Sequence, residues 1–169
     1  MSLPESFIQI SSRVRNWGRW GADDQLGTLN FITPEVVKNA AKCIKTGDTF
    51  PLSVTLEESG IQVGFIPGRI NPILEMISVN EPIDTQAGIE SFHTSDDVVR
   101  MGLQAATHWD GLCHASYNGF IYNGYSAETI TENEGATLCG IQNLKSVCSR
   151  GVLLDVARAK GVEILECPY

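Results

Sequence analysis

The sequence predicts an α/β fold, and three observations predict it. Residues 33–47 carry a capped, amphipathic helix pattern, residues 49–56 alternate apolar and polar side chains, and residues 151–157 form an apolar run of strand length. Helical and extended patterns that follow one another along a chain favour helices packed on a sheet. At 169 residues the chain is the size of one domain, long enough to bury about 70% of the surface its unfolded form exposes. With 43% apolar and 19% charged residues, the composition excludes a disordered tail or a coiled coil. Residues 1–169 are therefore read as a single domain, with residues 1–32 an irregular segment packed on it.

Within that opening segment, Asn16 to Asn30 (NWGRWGADDQLGTLN) is dense in Gly, Asp and Trp. Such a stretch makes ordered turns, anchored here by the large area that Trp17 and Trp20 can bury. Thr33-Pro34-Glu35 starts the helix: Thr33 can cap, Pro34 suits the first helical position, and Glu35 complements the dipole. Val36, Val37, Ala40, Ala41 and Ile44 supply the apolar stripe, and Gly47 ends it. Thr49 to Leu56 then reads as a strand. Gly60 to Pro72, broken by Gly and Pro, reads as a strand and a long loop able to line a pocket. Asp97 to Asp110 is β-like up to the Asp110-Gly111 turn, and Gly119 to Tyr125 is irregular. Gly140 to Val147 reads as a short helix, and Gly151 to Ala157 as a strand buried on both faces.

Twelve basic against twenty acidic side chains give a net charge of −8, which repels phosphate backbones and anionic lipid, so neither nucleic acid nor membrane is an expected partner. The first residues lack a signal-peptide core and no run approaches a membrane span, so a cytoplasmic location is expected. The five cysteines, Cys43, Cys113, Cys139, Cys148 and Cys167, show no zinc-finger spacing. Most are expected to be small buried apolar groups.

Two of the three histidines fall within seven residues, in Thr107-His108-Trp109-Asp110-Gly111-Leu112-Cys113-His114. If this segment is extended up to Asp110, then Gln104, Ala106, His108 and Asp110 project to one face, and Thr107 and Trp109 to the other. An imidazole and a carboxylate so placed allow three readings. They can ligate a divalent metal, with Gln104 as a third ligand and His114 as general acid and base. They can form a metal-free pair that serves Cys113 as nucleophile. Or they can simply satisfy each other in a half-buried strand. His93 lies among turn formers and reads as an exposed loop histidine. Glu128, Glu132 and Glu134 read as a solvated face.

The stretch LQAATHWDGLCHASYNGFIYNG resembles the motif H-x-G-T-H-x-D-x-P-x-H of the metal-dependent cyclase-like hydrolases, the family that includes kynurenine formamidase (arylformamidase) and isatin hydrolase. WGADDQLGTLNFITPE and SRGVLLDVARAKG resemble the branch of longer proteins in that family, so the likeness spans most of the chain. It implies a swivelling β/β/α domain, a mixed sheet curled toward a barrel with flanking helices. It further implies hydrolysis of an amide or cyclic amide by metal-bound hydroxide, with zinc or manganese as the metal. His108 and Asp110 match two metal ligands, His114 the proton-transferring histidine, and Thr107 a threonine that supports the loop. Gln104 replaces the first motif histidine, Ala106 the glycine and Leu112 the proline. A neutral amide is a poorer zinc donor than imidazole, which shifts metal preference toward manganese or magnesium.

Members of the family are usually homo-oligomers acting on small molecules. They continue beyond the strand that resembles RGVLLD and supply a further histidine and glutamate from that later half, neither of which this chain contains. The chain thus looks like the N-terminal half of such a domain, and an incomplete sheet would expose an apolar edge. Trp20, Phe120 and Tyr122 are candidates for the wall of an aryl pocket, and Trp109 is expected in the core. The alternative from another class is a non-catalytic binding or oligomerisation domain that has lost a complete metal site.

Overall fold

A computed structural model describes residues 4–83 and 92–166, so the expectation for Cys167 lies outside the described residues. The chain is mixed α and β with small antiparallel sheets, and it divides into two units: residues 1–48 with 110–169, and residues 49–109. No closed barrel and no parallel sheet occurs among the described residues. No helix among them is long and apolar enough to cross a membrane.

The first unit opens on helix α1, Glu5–Val14, where residues 1–32 were expected to be irregular. Its signal is present in the sequence: Pro4 precedes it, Glu5 and Arg13 complement its dipole, and Phe7, Ile10 and Val14 share a face. Phe7 meets Tyr117 edge-on, ring centres 6.4 Å apart. A 3₁₀ turn follows at Gly27–Phe31, and Trp20 packs edge-on against Phe31 at 5.0 Å with the Arg19 guanidinium over both rings. Helix α2, Pro34–Ala41, starts as the sequence predicts, with Thr33 Oγ1 accepting the Val36 N–H. It ends at Ala41, short of Gly47, and Ile44, the last residue of the expected stripe, is exposed.

Further along the first unit, Ile130–Thr131 (strand β3) pairs antiparallel with Gly135–Ala136 (strand β4), and Glu128, Glu132 and Glu134 around this hairpin are exposed, as expected. The helix expected over 140–147 is a single 3₁₀ turn, Ile141–Asn143. The strand expected over 151–157 is not formed. Residues 150–155 have no ladder partner among the described residues, and helix α3, Val156–Ala159, begins where Asp155 Oδ1 accepts the Arg158 N–H. An apolar run specifies burial but cannot supply the neighbouring strand.

In the second unit, Ile73–Pro82 (strand β1) pairs antiparallel with His93–Arg100 (strand β2). The ladder slips on either side of Ser78; there the Ser78 and Ser95 hydroxyls accept the backbone N–H groups of Asp96 and Asn80. His93 is half-buried and starts β2 opposite Pro82, not in an exposed loop. Residues 49–56 form no strand. The loop over 60–72 is organised by Asn71, whose amide accepts from Gln62 N and donates to the carbonyls of Gly60 and Gln62.

The extended segment expected over 97–110 ends at Arg100. Gly102 donates to the Ile70 carbonyl at 3.0 Å, and a Cβ there would lie 3.2 and 3.3 Å from Ile70 backbone atoms. This close approach bends the chain into a turn at Leu103–Ala105, so Gln104, Ala106, His108 and Asp110 do not alternate along one strand. Trp109 is exposed, not in the core. Among the described residues the buried apolar side chains include Ala105, Ala106 and Pro72 in this unit and Ile121 and Cys139 in the other. Of the described cysteines only Cys139 is buried, contrary to expectation: Cys43 and Cys148 are exposed and Cys113 is half-buried.

Candidate functional site

The second unit holds a cleft of about 580 Å³ whose walls include Val54, Leu56, Leu103, Ala106, Thr107 and His108. One wall is fixed by Thr107, whose hydroxyl accepts the Val54 N–H at 2.9 Å across 53 residues. His108 Nδ1 lies 2.7 Å from the Ala106 carbonyl oxygen. A carbonyl can only accept, so Nδ1 carries the proton in this bond and Nε2 is the ring's basic atom. Histidines that bind metals through one nitrogen are commonly oriented by just such a carbonyl on the other. The half-buried Gln104 is anchored through its backbone carbonyl, which accepts from the Gln62 side-chain amide.

Asp110 and His114 belong to the first unit, in a turn closed by the His114 N–H on the Gly111 carbonyl. His114 Nε2 and Asp110 Oδ2 are 3.8 Å apart, with both side chains about half exposed. The turn rests on the backbone of residues 139–141. Cys113 donates its N–H to the Cys139 carbonyl at 3.1 Å, and a Cβ on Gly111 would come within 2.8 Å of Ile141 N and 3.0 Å of Cys139 O. Gly111 is required here for space and not for its φ. Cys139 itself takes a left-handed φ of 56°, and burial, followed by the neighbouring Cys113 and Asp24, pushes its thiol above the ordinary range.

A network absent from the sequence reading organises the same unit. Asp24 accepts from Tyr122 Oη at 2.7 Å, from Asn30 Nδ2 at 2.6 Å and from the N–H groups of Gly27 and Leu26. Burial alone would raise the Asp24 carboxyl, but these four donors together hold it below its ordinary value. Burial raises Tyr122 in turn, and the bond to Asp24 adds to it. Asn123, in the left-handed region at φ 61°, accepts from Gly18 N and donates to the carbonyls of Gly21, Ala22 and Asp24. Gln25 Oε1 accepts from Cys139 N and Asn143 Nδ2. The signal was there: DDQLGTLN offers short polar side chains beside glycine, and Asn123-Gly124 marks a tight turn. Of the candidate wall residues, Tyr122 is engaged with Asp24, Trp20 lies against Phe31, and Phe120 is about half exposed beside Tyr117 and Ser126.

Among the described residues no three His, Cys, Asp or Glu side chains form a metal-binding group. His108, Asp110 and Gln104 carry donor atoms of the kinds that ligate divalent metals.

No family model matches the chain, and no curated protein matches it. Its structure is similar to the crystal structure of a novel cyclase, with a TM-score of 0.78 and 37% sequence identity over 90% of this chain. The chain spans 52% of that protein's length. The likeness supports a cyclase-like family, without distinguishing its branches.

Proposed function

We propose that this chain contributes part of the active site of a metal-dependent hydrolase that cleaves an amide or cyclic amide, in the manner of an arylformamidase. The observation that carries the reading is the fixed tautomer of His108, with Nδ1 on the Ala106 carbonyl and Nε2 left as the basic nitrogen at a cleft wall. In this proposal His108 and Asp110, assisted by Gln104, hold zinc or manganese. Such an ion, when bound, polarises a carbonyl and makes water a nucleophile near neutral pH.

The chain's own residues do the rest. Thr107 fixes the 51–56 wall through Val54, and the apolar side chains of Leu56 and Leu103 favour a substrate with a flat or aliphatic body. His114 takes a proton from water and returns it to the leaving nitrogen, beside the Asp110 carboxylate. Trp20, Phe120 and Tyr122 are proposed aryl contacts, and a homo-oligomer in the cytoplasm is the proposed setting.

The test is metal content by plasma mass spectrometry after dialysis against metal-free buffer, together with turnover of an aryl formamide. The reading expects zinc or manganese retained by the wild type and lost with His108→Ala. Full turnover in a variant lacking both His108 and Asp110 side chains would overturn it. One observation favours the second reading, a binding or oligomerisation domain without catalysis: the described residues do not complete a metal group. That reading expects a chain that folds and associates yet takes up no metal.

A further inference from the structure

Two cysteines meet at the base of the turn that carries Asp110 and His114. Cys113 donates its N–H to the Cys139 carbonyl at 3.1 Å. A backbone bond of this kind holds the two Cα atoms roughly 5–6 Å apart, within the span of about 4.4–6.8 Å that a disulfide bridges. Both residues belong to the first unit, and both thiols are free. Burial first, and the neighbouring Cys113 second, push the Cys139 thiol above its ordinary range. The second effect requires the two sulfurs to be close.

Their surroundings differ. Cys113 is half-buried and open to small solutes, whereas Cys139 is 1% exposed. Cys139 Sγ faces the Tyr122 carbonyl at 3.9 Å, a weak bond whose loss costs that carbonyl little, because it also accepts the Tyr125 N–H at 3.4 Å. The Cys139 backbone stands apart as well. Among the described residues four that are not glycine take a left-handed φ. Three are asparagines, Asn80, Asn118 and Asn123, whose short polar side chains tolerate it, and the fourth is Cys139. Such a conformation persists where the surroundings over-determine it. Here Gln25 Oε1 holds the Cys139 N–H and the Cys113 N–H holds its carbonyl. With both polar groups of its backbone pinned, Cys139 keeps its sulfur in one place beside the turn.

We propose that Cys113 and Cys139 form a reversible redox pair, whose disulfide latches the turn over 110–114 to residues 139–141. The oxidant is a peroxide, which meets the more open Cys113 first. Its O–O bond breaks, one oxygen goes to Cys113, and the thiol becomes a sulfenic acid with release of one water. Cys139 Sγ then attacks that sulfur, the S–O bond breaks, and hydroxide leaves with the Cys139 proton as a second water. Two thiols thereby lose two protons and two electrons, and the peroxide becomes two waters. A dithiol reverses the step by exchange, reducing the disulfide as it is itself oxidised. The bond closes residues 113–139 into a loop that contains Tyr122 and Asn123, and it ties down the neighbour of His114. The inference goes beyond the hydrolase reading and does not depend on it, because its test reads a covalent bond.

The experiment treats the reduced, purified protein with hydrogen peroxide near neutral pH, alkylates the remaining thiols, cuts the chain after glutamate and weighs the unreduced fragments. Glu128, Glu132 and Glu134 lie between the two cysteines, so the cut parts them unless they are bonded. Expected is a joined pair of fragments carrying Cys113 and Cys139, two hydrogens lighter than their sum and separated by dithiothreitol. Amide exchange at Cys113 and His114 should slow at least tenfold on oxidation and recover on reduction. Cys113→Ser and Cys139→Ser should each abolish the cross-link, and the wild-type map stands whether or not a variant folds. Four results overturn the proposal: both thiols left unmodified, Cys113 joined to Cys43 or Cys148 instead, Cys113 carried to a sulfinic acid while Cys139 stays a thiol, or a bond that forms only in urea.

Discussion

The Tyr122 hydroxyl donates to Asp24 Oδ2 across 2.7 Å, joining residues 98 apart in sequence. Because Asp24 is held below its ordinary value of 3.8, its stabilising effect is present above that pH and is lost as pH falls through the lower, folded value. Asp24→Asn should therefore lower stability most above pH 5 and least near pH 2, measured by thermal unfolding across that range. Tyr122→Phe should cost about 1.5 kcal/mol, the low end for a bond to a charged acceptor that is only partly buried. In absorbance titration the Tyr122 phenol should ionise above the usual tyrosine range and move down toward it in Asp24→Asn.

Gly111→Ala places a methyl group against backbone atoms of Cys139, Gly140 and Ile141 that cannot rotate away. The expected cost is about 1–3 kcal/mol, with the turn that carries Asp110 and His114 displaced. Amide exchange should accelerate at Cys113, whose N–H bonds to Cys139. Unchanged exchange there would show that residues 139–141 yield freely.

Thr107→Val keeps the shape but removes the acceptor for the Val54 N–H. Loss of that bond should cost about 1 kcal/mol and free residues 51–56, raising KM more than it lowers kcat if the cleft binds substrate. Thr107→Ser should restore both. A valine variant with wild-type KM would separate the cleft from substrate binding.

His108→Ala and Asp110→Asn should each reduce retained zinc or manganese at least tenfold. His114→Ala should leave metal content unchanged and lower turnover by about 10²–10⁴-fold, the usual share of a general acid-base group. Equal loss of metal in His114→Ala would make that residue a ligand.

The start of α2 was legible because its determinants are local: Thr33 caps, Pro34 fixes φ, and no distant residue is required. The strands expected over 49–56 and 151–157 were read from apolar patterning, which reports how buried a segment is meant to be. Pairing depends on a neighbour that the sequence of the segment does not contain. The histidine-carboxylate cluster was legible as a motif, yet its geometry was not, because Gly102 turns the chain through contact with Ile70, 32 residues earlier. Tyr122 on Asp24 and the carbonyls under Asn123 were missed for a related reason: these partners lie about 100 residues apart in sequence.

Asn123 carries a chemical liability. It precedes Gly124, the sequence in which an asparagine amide most readily cyclises and hydrolyses to aspartate. Its Nδ2 donates to three carbonyls, of Gly21, Ala22 and Asp24. Deamidation replaces that donor with a negatively charged oxygen facing three other oxygens. Ageing of one side chain would thus release the segment around residues 18–24, so material stored at alkaline pH would lose its N-terminal packing.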